Sequence, residues 1–101
     1  MEFFNCTLIE TIRRTETVWS FRFAADKQLS FKAGQFLQVI FDPENKNNRE
    51  LNKFLSFSSS PAKKYFEITK RLSASKFSDK LRNLKIGGEV LIKAPFGNCV
   101  L

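Results

Sequence analysis

Across residues 17–24 the large apolar side chains Trp19, Phe21 and Phe23 alternate with Val18, Ser20 and Arg22. A period of two sends successive side chains to opposite faces of an extended chain, so this stretch reads as a half-buried strand. Segments of β-type composition recur at 3–12, 36–41, 54–59, 65–72 and 89–94, separated by polar or Gly/Pro-containing turns. In the fifth of these six strands Phe66, Ile68, Lys70 and Leu72 alternate with Tyr65, Glu67, Thr69 and Arg71, whereas residues 42–52 (DPENKNNRELN) make a polar excursion. One segment breaks the period: Phe77, Leu81 and Leu84 are spaced by four and three residues, with Ser75 placed to cap the start and Gly87 and Gly88 after the end. That spacing predicts a short helix over 76–84. Five strands, one helix and a sixth strand predict a mainly β fold, a six-stranded antiparallel Greek-key barrel with the helix before the last strand. Closure would remove the edges that short strands otherwise expose.

A chain of 101 residues can support one core, and with 12 Phe against one Tyr and one Trp that core has to be built largely from phenylalanine. Cys6 and Cys99 lie near opposite ends and the chain has no His, which predicts free thiols and no metal site. The first residues, MEFFNCTLIETIRR, have neither a basic start nor an apolar stretch, and no apolar run approaches membrane length. A cytoplasmic protein without a membrane partner is the expectation. The formal charge is +7, but Arg13 and Arg14, Lys63 and Lys64, Lys70 and Arg71, and Lys80, Arg82 and Lys85 are scattered. Either they form a solvated surface, or they face nucleotide phosphates or an acidic redox protein.

Three stretches can carry chemistry. In Phe31 to Phe36 (FKAGQF), Gly34 permits a tight turn or a close backbone approach at the start of a strand. In Lys53 to Pro61 (KFLSFSSSP), the hydroxyls of Ser56, Ser58, Ser59 and Ser60 beside Lys53 can hydrogen-bond a polar ring edge and a phosphate, or simply end a strand in a serine-rich turn. In the third, Lys70 delivers the chain to a helix start rich in hydroxyls and free amides. That start either binds an anion through its N–H groups and the helix dipole, or uses Ser75 and Ser78 only as caps.

Taken in order, AGQF (Ala33 to Phe36), KFLS (Lys53 to Ser56) continuing into FSSSP, the helix start, and the closing LKIGGEVLIKAPFG resemble the flavin domain of the ferredoxin-NADP reductase family over about residues 5–101. The family pattern has an Arg-x-Tyr-Ser signature; here Lys53 stands for the Arg and Leu55 for the Tyr. Ser73, Ala74 and Ser75 replace the usual glycine before the helix, and Ala94 precedes Pro-Phe-Gly. The resemblance implies that Lys53 binds flavin phosphate, Leu55 lies against the isoalloxazine ring, and Ser56 approaches its redox-active edge as the catalytic candidate. Ser75 and Ser78 would receive phosphate oxygens, with Phe54, Thr69, Lys70 and Phe77 as further cofactor contacts.

By the same resemblance the cofactor is FAD or FMN. NADH or NADPH would act through a nicotinamide-binding domain or subunit absent from these 101 residues, and electrons would pass to an iron-sulfur or haem partner. Residues 1–101 are then a flavin-binding β-barrel domain of an electron-transfer oxidoreductase, incomplete as a catalyst alone. Two rivals are a basic barrel binding single-stranded nucleic acid and a flavin-free docking module. Against the first, most Phe residues occupy apolar-face positions of alternating strands, so no nucleic-acid partner is expected.

Overall fold

A computed structural model describes residues 1–61 and 64–97; Lys63, Cys99 and the rest of the 98–101 segment lie outside the described residues. The chain runs β1 (Glu2–Arg13), β2 (Val18–Ala25), β3 (Phe36–Ile40), β4 (Asn52–Ser56), β5 (Phe66–Arg71), α1 (Lys76–Asn83) and β6 (Glu89–Phe96). Every pairing is antiparallel, in the spatial order β4-β3-β6-β1-β2-β5. The last strand therefore inserts between β1 and β3, a Greek-key arrangement. At the two ends of the sheet, β4 and β5 approach through an isolated antiparallel bridge, Phe57 to Ile68. The result is the nearly closed barrel, with one helix before the final strand, that the spacing of apolar segments predicts.

The inward faces carry the core: Phe4, Cys6 and Leu8 from β1, Phe21 and Phe23 from β2, Leu37 and Val39 from β3, Phe66 and Ile68 from β5, and Ile92 from β6 are all buried. Phe23 stacks on its register partner Phe66 at 5.4 Å. The helix adds Phe77 and Leu81, both fully buried, and the Phe77 ring meets Phe41 edge-on at 5.3 Å. Each such side chain contributes roughly 1.5–3 kcal/mol by leaving water. Ser75 caps α1, its Oγ accepting from the Ser78 amide at 3.1 Å. No helix among the described residues is long and apolar enough to cross a membrane.

Four features depart from the sequence pattern. Ser20, expected on the solvent face of β2, is fully buried, because Arg14 and Thr69 cover and hydrogen-bond its hydroxyl. The fourth strand begins at Asn52 rather than residue 54: the buried Asn52 amide accepts from the Asp42 N–H and donates to the carbonyls of Asp42 and Asn45, drawing the polar excursion onto the sheet. The sixth strand continues through Pro95 to Phe96 because the β3–β6 register shifts between Phe36 and Gln38, and a bulge tolerates a residue that cannot donate. Finally, Phe3 and Phe54 are exposed rather than buried. Phe54 joins Phe36 and Phe96 in an aromatic cluster on the outer face, at 5.8 and 5.0 Å.

Candidate functional site

Away from the Phe57–Ile68 bridge, β4 and β5 part. β4 is hydrogen-bonded to β3 and β5 to β2, so their facing edges carry no ladder to one another and leave an open seam. The antiparallel register of the bridge sets Ser56 toward Thr69 and Leu55 toward Lys70 across it. Five of the sequence-predicted residues, Lys53, Leu55, Ser56, Thr69 and Lys70, thus border one seam.

Alternation divides them between two faces. Lys53 and Leu55 pair with the buried Val39 and Leu37 and share their inward side; Leu55 is half-buried and packs on the core. Phe54 and Ser56 point outward, so Phe54 lies on the opposite face of β4 from Lys53 and Leu55. Lys53 and Lys70 are both half-buried, and neither has an acidic partner among the described residues. A half-buried cation without a counter-ion favours an incoming anion, because the ligand then supplies the missing partner. Lys53 also borders a separate concavity of about 630 Å³, shared with Gln38, Lys46, Arg49 and the outward-facing Phe54 and lined by no acidic residue. The sequence reading passed over those two cations because they sit in the polar excursion.

The chain leaves β5 and reaches the α1 N-terminus within a few residues. There the Ser75 hydroxyl is occupied by the Ser78 amide, and the Ser78 hydroxyl is fully buried and accepts from the Ser73 N–H at 3.0 Å. The Phe77 side chain is in the core. The first-turn amides of Lys76 and Phe77 have no acceptor within the helix, and of the two residues only Lys76 is exposed. Lys76 itself reaches Glu50 at 3.2 Å, tying the helix to the polar excursion.

Sequence reasoning missed the acid that organises the closed end of the seam. Glu67 is buried and accepts from Arg22 Nε at 2.8 Å, with Arg14 at 3.6 Å from its second oxygen. Its backbone carbonyl accepts from the Ser58 amide at 2.8 Å, and its N–H donates to Ser59 Oγ at 2.9 Å. The hydrogen bond to Glu67 leads the causes that hold the Arg22 guanidinium above its ordinary value. The available signal was cross-strand pairing: Arg22 and Glu67 are opposite charges on strands that turn out to be register partners. Cys6 is fully buried, and burial above all, and then Asp26, push its thiol pKa up to about 12.

Comparison with known proteins agrees with this architecture. No curated protein matched the sequence. Among solved structures, a ferredoxin-NADP+ reductase from Neisseria gonorrhoeae with bound FAD and NADP superimposes with a TM-score of 0.82 at 20% identity, covering 99% of this chain and 40% of that one. The cytochrome b5 reductase domain of Ulva prolifera nitrate reductase gives 0.78 at 19% identity, covering 95% and 42%. The flavohaem-like FAD/NAD-binding domain of nitric oxide dioxygenase from Vibrio cholerae gives 0.77 at 22% identity, covering 94% and 44%. This chain therefore spans less than half of each of these structures, and their likeness establishes the fold. The profile of the oxidoreductase FAD-binding domain matches residues 5–100, nearly the whole sequence, and the chain belongs to that family.

Proposed function

We propose that this domain holds FAD along the open β4–β5 seam and presents it within an NAD(P)H-dependent electron-transfer oxidoreductase. The observation that carries the reading is the pairing of an unladdered seam with two half-buried lysines, Lys53 and Lys70, that lack acidic partners. An elongated ligand with two phosphates, a polyhydroxyl chain and a flat ring needs cations, exposed hydroxyls and an apolar wall. Lys53 and Lys70 supply the first requirement, with the amide of the exposed Lys76 as an added donor, Ser56 and Thr69 the second, and Leu55 the third.

When bound, the flavin supplies the conversion between two-electron exchange with a nicotinamide and one-electron exchange with an iron-sulfur or haem centre. The chain's own part is binding and orientation. Lys53 and the first turn of α1 neutralise phosphate charge, Leu55 covers one ring face by dispersion, and Ser56 offers a hydroxyl at the outward edge of β4. A nicotinamide-binding domain or subunit completes the catalyst, and the electron acceptor is an iron-sulfur or haem protein. The buried free thiol of Cys6 suits a reducing compartment such as the cytoplasm.

Titration of the chain with FAD and with FMN tests the reading. Saturable fluorescence quenching by FAD at one-to-one stoichiometry and micromolar concentration is the expected result. Absence of saturable binding by either flavin would leave a flavin-free docking barrel.

A further inference from the structure

We infer that the closed end of the seam accepts hydrogen bonds from the bound flavin through Thr69 and Ser58, because a closed ring of side chains has already used the protons of both hydroxyls. The inference rests on the flavin reading above and specifies which part of the cofactor belongs at this end.

The ring has five members. Arg14 Nε donates to Ser20 Oγ at 3.1 Å, Ser20 Oγ lies 2.8 Å from Thr69 Oγ1, and Thr69 Oγ1 lies 3.0 Å from Ser58 Oγ. Ser58 Oγ donates to Glu67 Oε2 at 3.2 Å, and the same carboxylate oxygen is 3.6 Å from Arg14 Nη2, which closes the circuit. Its two charged members dictate the sense of every bond. A guanidinium only donates and a carboxylate only accepts, while a hydroxyl has a single proton. Ser58 must spend its proton on Glu67, so Thr69 must donate to Ser58. Thr69 has then spent its own, and Ser20 must donate to Thr69 while it accepts from Arg14.

Every hydroxyl in the ring is therefore left with spare lone pairs and no spare proton. Ser20 is fully buried, but Thr69 and Ser58 are exposed, so only these two present that polarity outward. A phosphate oxygen, itself only an acceptor, finds no partner in these two hydroxyls. An N–H or O–H of the ligand does find one. In FAD the matching groups are the ring imide N–H and the ribityl hydroxyls. Thr69 and Ser58 are the contact residues, and Arg14, Ser20 and Glu67 are positioning residues that set their polarity.

Dissociation constants of the 101-residue chain for FAD, for FAD methylated at the ring imide nitrogen and for FAD with a deoxygenated ribityl chain test this. The expected result is that one of the two analogues binds the parent roughly three- to tenfold more weakly than FAD, the loss of one neutral hydrogen bond, and identifies the donor. Thr69→Ser should keep that discrimination, whereas Thr69→Val should weaken FAD by a similar factor and bind FAD and the affected analogue alike. Circular dichroism establishes that each variant is folded; should Thr69→Val fail to fold, the parent's analogue ratios decide. FAD binding with no loss for either analogue overturns this inference alone, as does full discrimination in folded Thr69→Val. No FAD binding by the parent overturns the proposed function and this inference together.

Discussion

Phe57 forms an antiparallel bridge with Ile68 at the point where the continuation of β4 meets β5. Its ring stacks on Phe31, with centroids 3.8 Å apart and planes inclined by 6°, and meets Phe66 edge-on at 5.7 Å. Rings packed on both sides hold this end of the barrel shut. The parting of β4 and β5 beyond it is thus anchored by the core, which gives a ligand a seam of defined register.

Replacing Lys53 tests the electrostatics of that seam. A lysine against a phosphate makes a charge-assisted hydrogen bond contributing roughly 1.5–3 kcal/mol when desolvated. Lys53→Met should weaken FAD binding about tenfold or more at low ionic strength, and the difference from the parent should shrink as salt rises. Titrations at two salt concentrations measure both, and an unchanged affinity at low salt would take Lys53 out of the site.

Leu55 provides a second test. It packs partly on the core beside Leu37 and keeps part of its surface accessible. A tyrosine there can extend a flat ring into the seam, where offset stacking adds on the order of 0.5–1.5 kcal/mol beyond area burial. Leu55→Tyr should tighten FAD binding by about two- to tenfold with the apo protein still stable. Should thermal unfolding instead show a destabilised apo form with no gain in affinity, Leu55 is a core residue that tolerates no larger ring.

The buried carboxylate of Glu67 should matter for stability even without ligand. Glu67→Ala removes acceptors from Arg22 and Ser58. For a domain of this size, the loss of one to two such bonds should lower the thermal midpoint by roughly 5–10 °C. The double variant Glu67→Met/Arg22→Met should regain part of this, because no charge is then left without its partner. A midpoint within error of the parent for Glu67→Ala would show that the network contributes nothing to folding.

Cys6 predicts a pH dependence at the alkaline end. Its ordinary pKa of 9.0 is pushed up to about 12 in the folded protein, first by burial and then by the Asp26 carboxylate. The unfolded thiol ionises near its ordinary value while the folded thiol stays protonated. The stabilising effect is therefore complete below that value and is lost progressively as pH rises toward 12, at about 1.4 kcal/mol per pH unit. In a Cys99→Ser background, chemical denaturation across this window should show a steeper alkaline loss than in Cys6→Val, with other titrating groups common to both. The native thiol should also resist thiol reagents at neutral pH until the protein unfolds. Parallel pH profiles would contradict the shift.

The strands, the helix and its Ser75 cap were legible in the sequence because each rests on local periodicity or on a residue's preference for a helix start. The order of the AGQF, KFLS and APFG segments was enough to indicate the flavin-domain resemblance. Ser20 and Glu67 were not legible as buried, since a polar residue on the solvent-facing period looks exposed until Arg14, Arg22, Thr69 and Ser58 arrive from distant parts of the chain. Phe54 and Phe77 illustrate the same division. Hydrophobicity marks both as core candidates, but the β3–β4 register turns Phe54 outward while the helix stripe turns Phe77 inward. Sequence alone determined which segments are extended and which is helical, because those preferences are written in neighbouring residues. Tertiary structure alone decided that β4 and β5 meet at one bridge and then part, because strand register depends on how the inward faces of all six strands fill a common core.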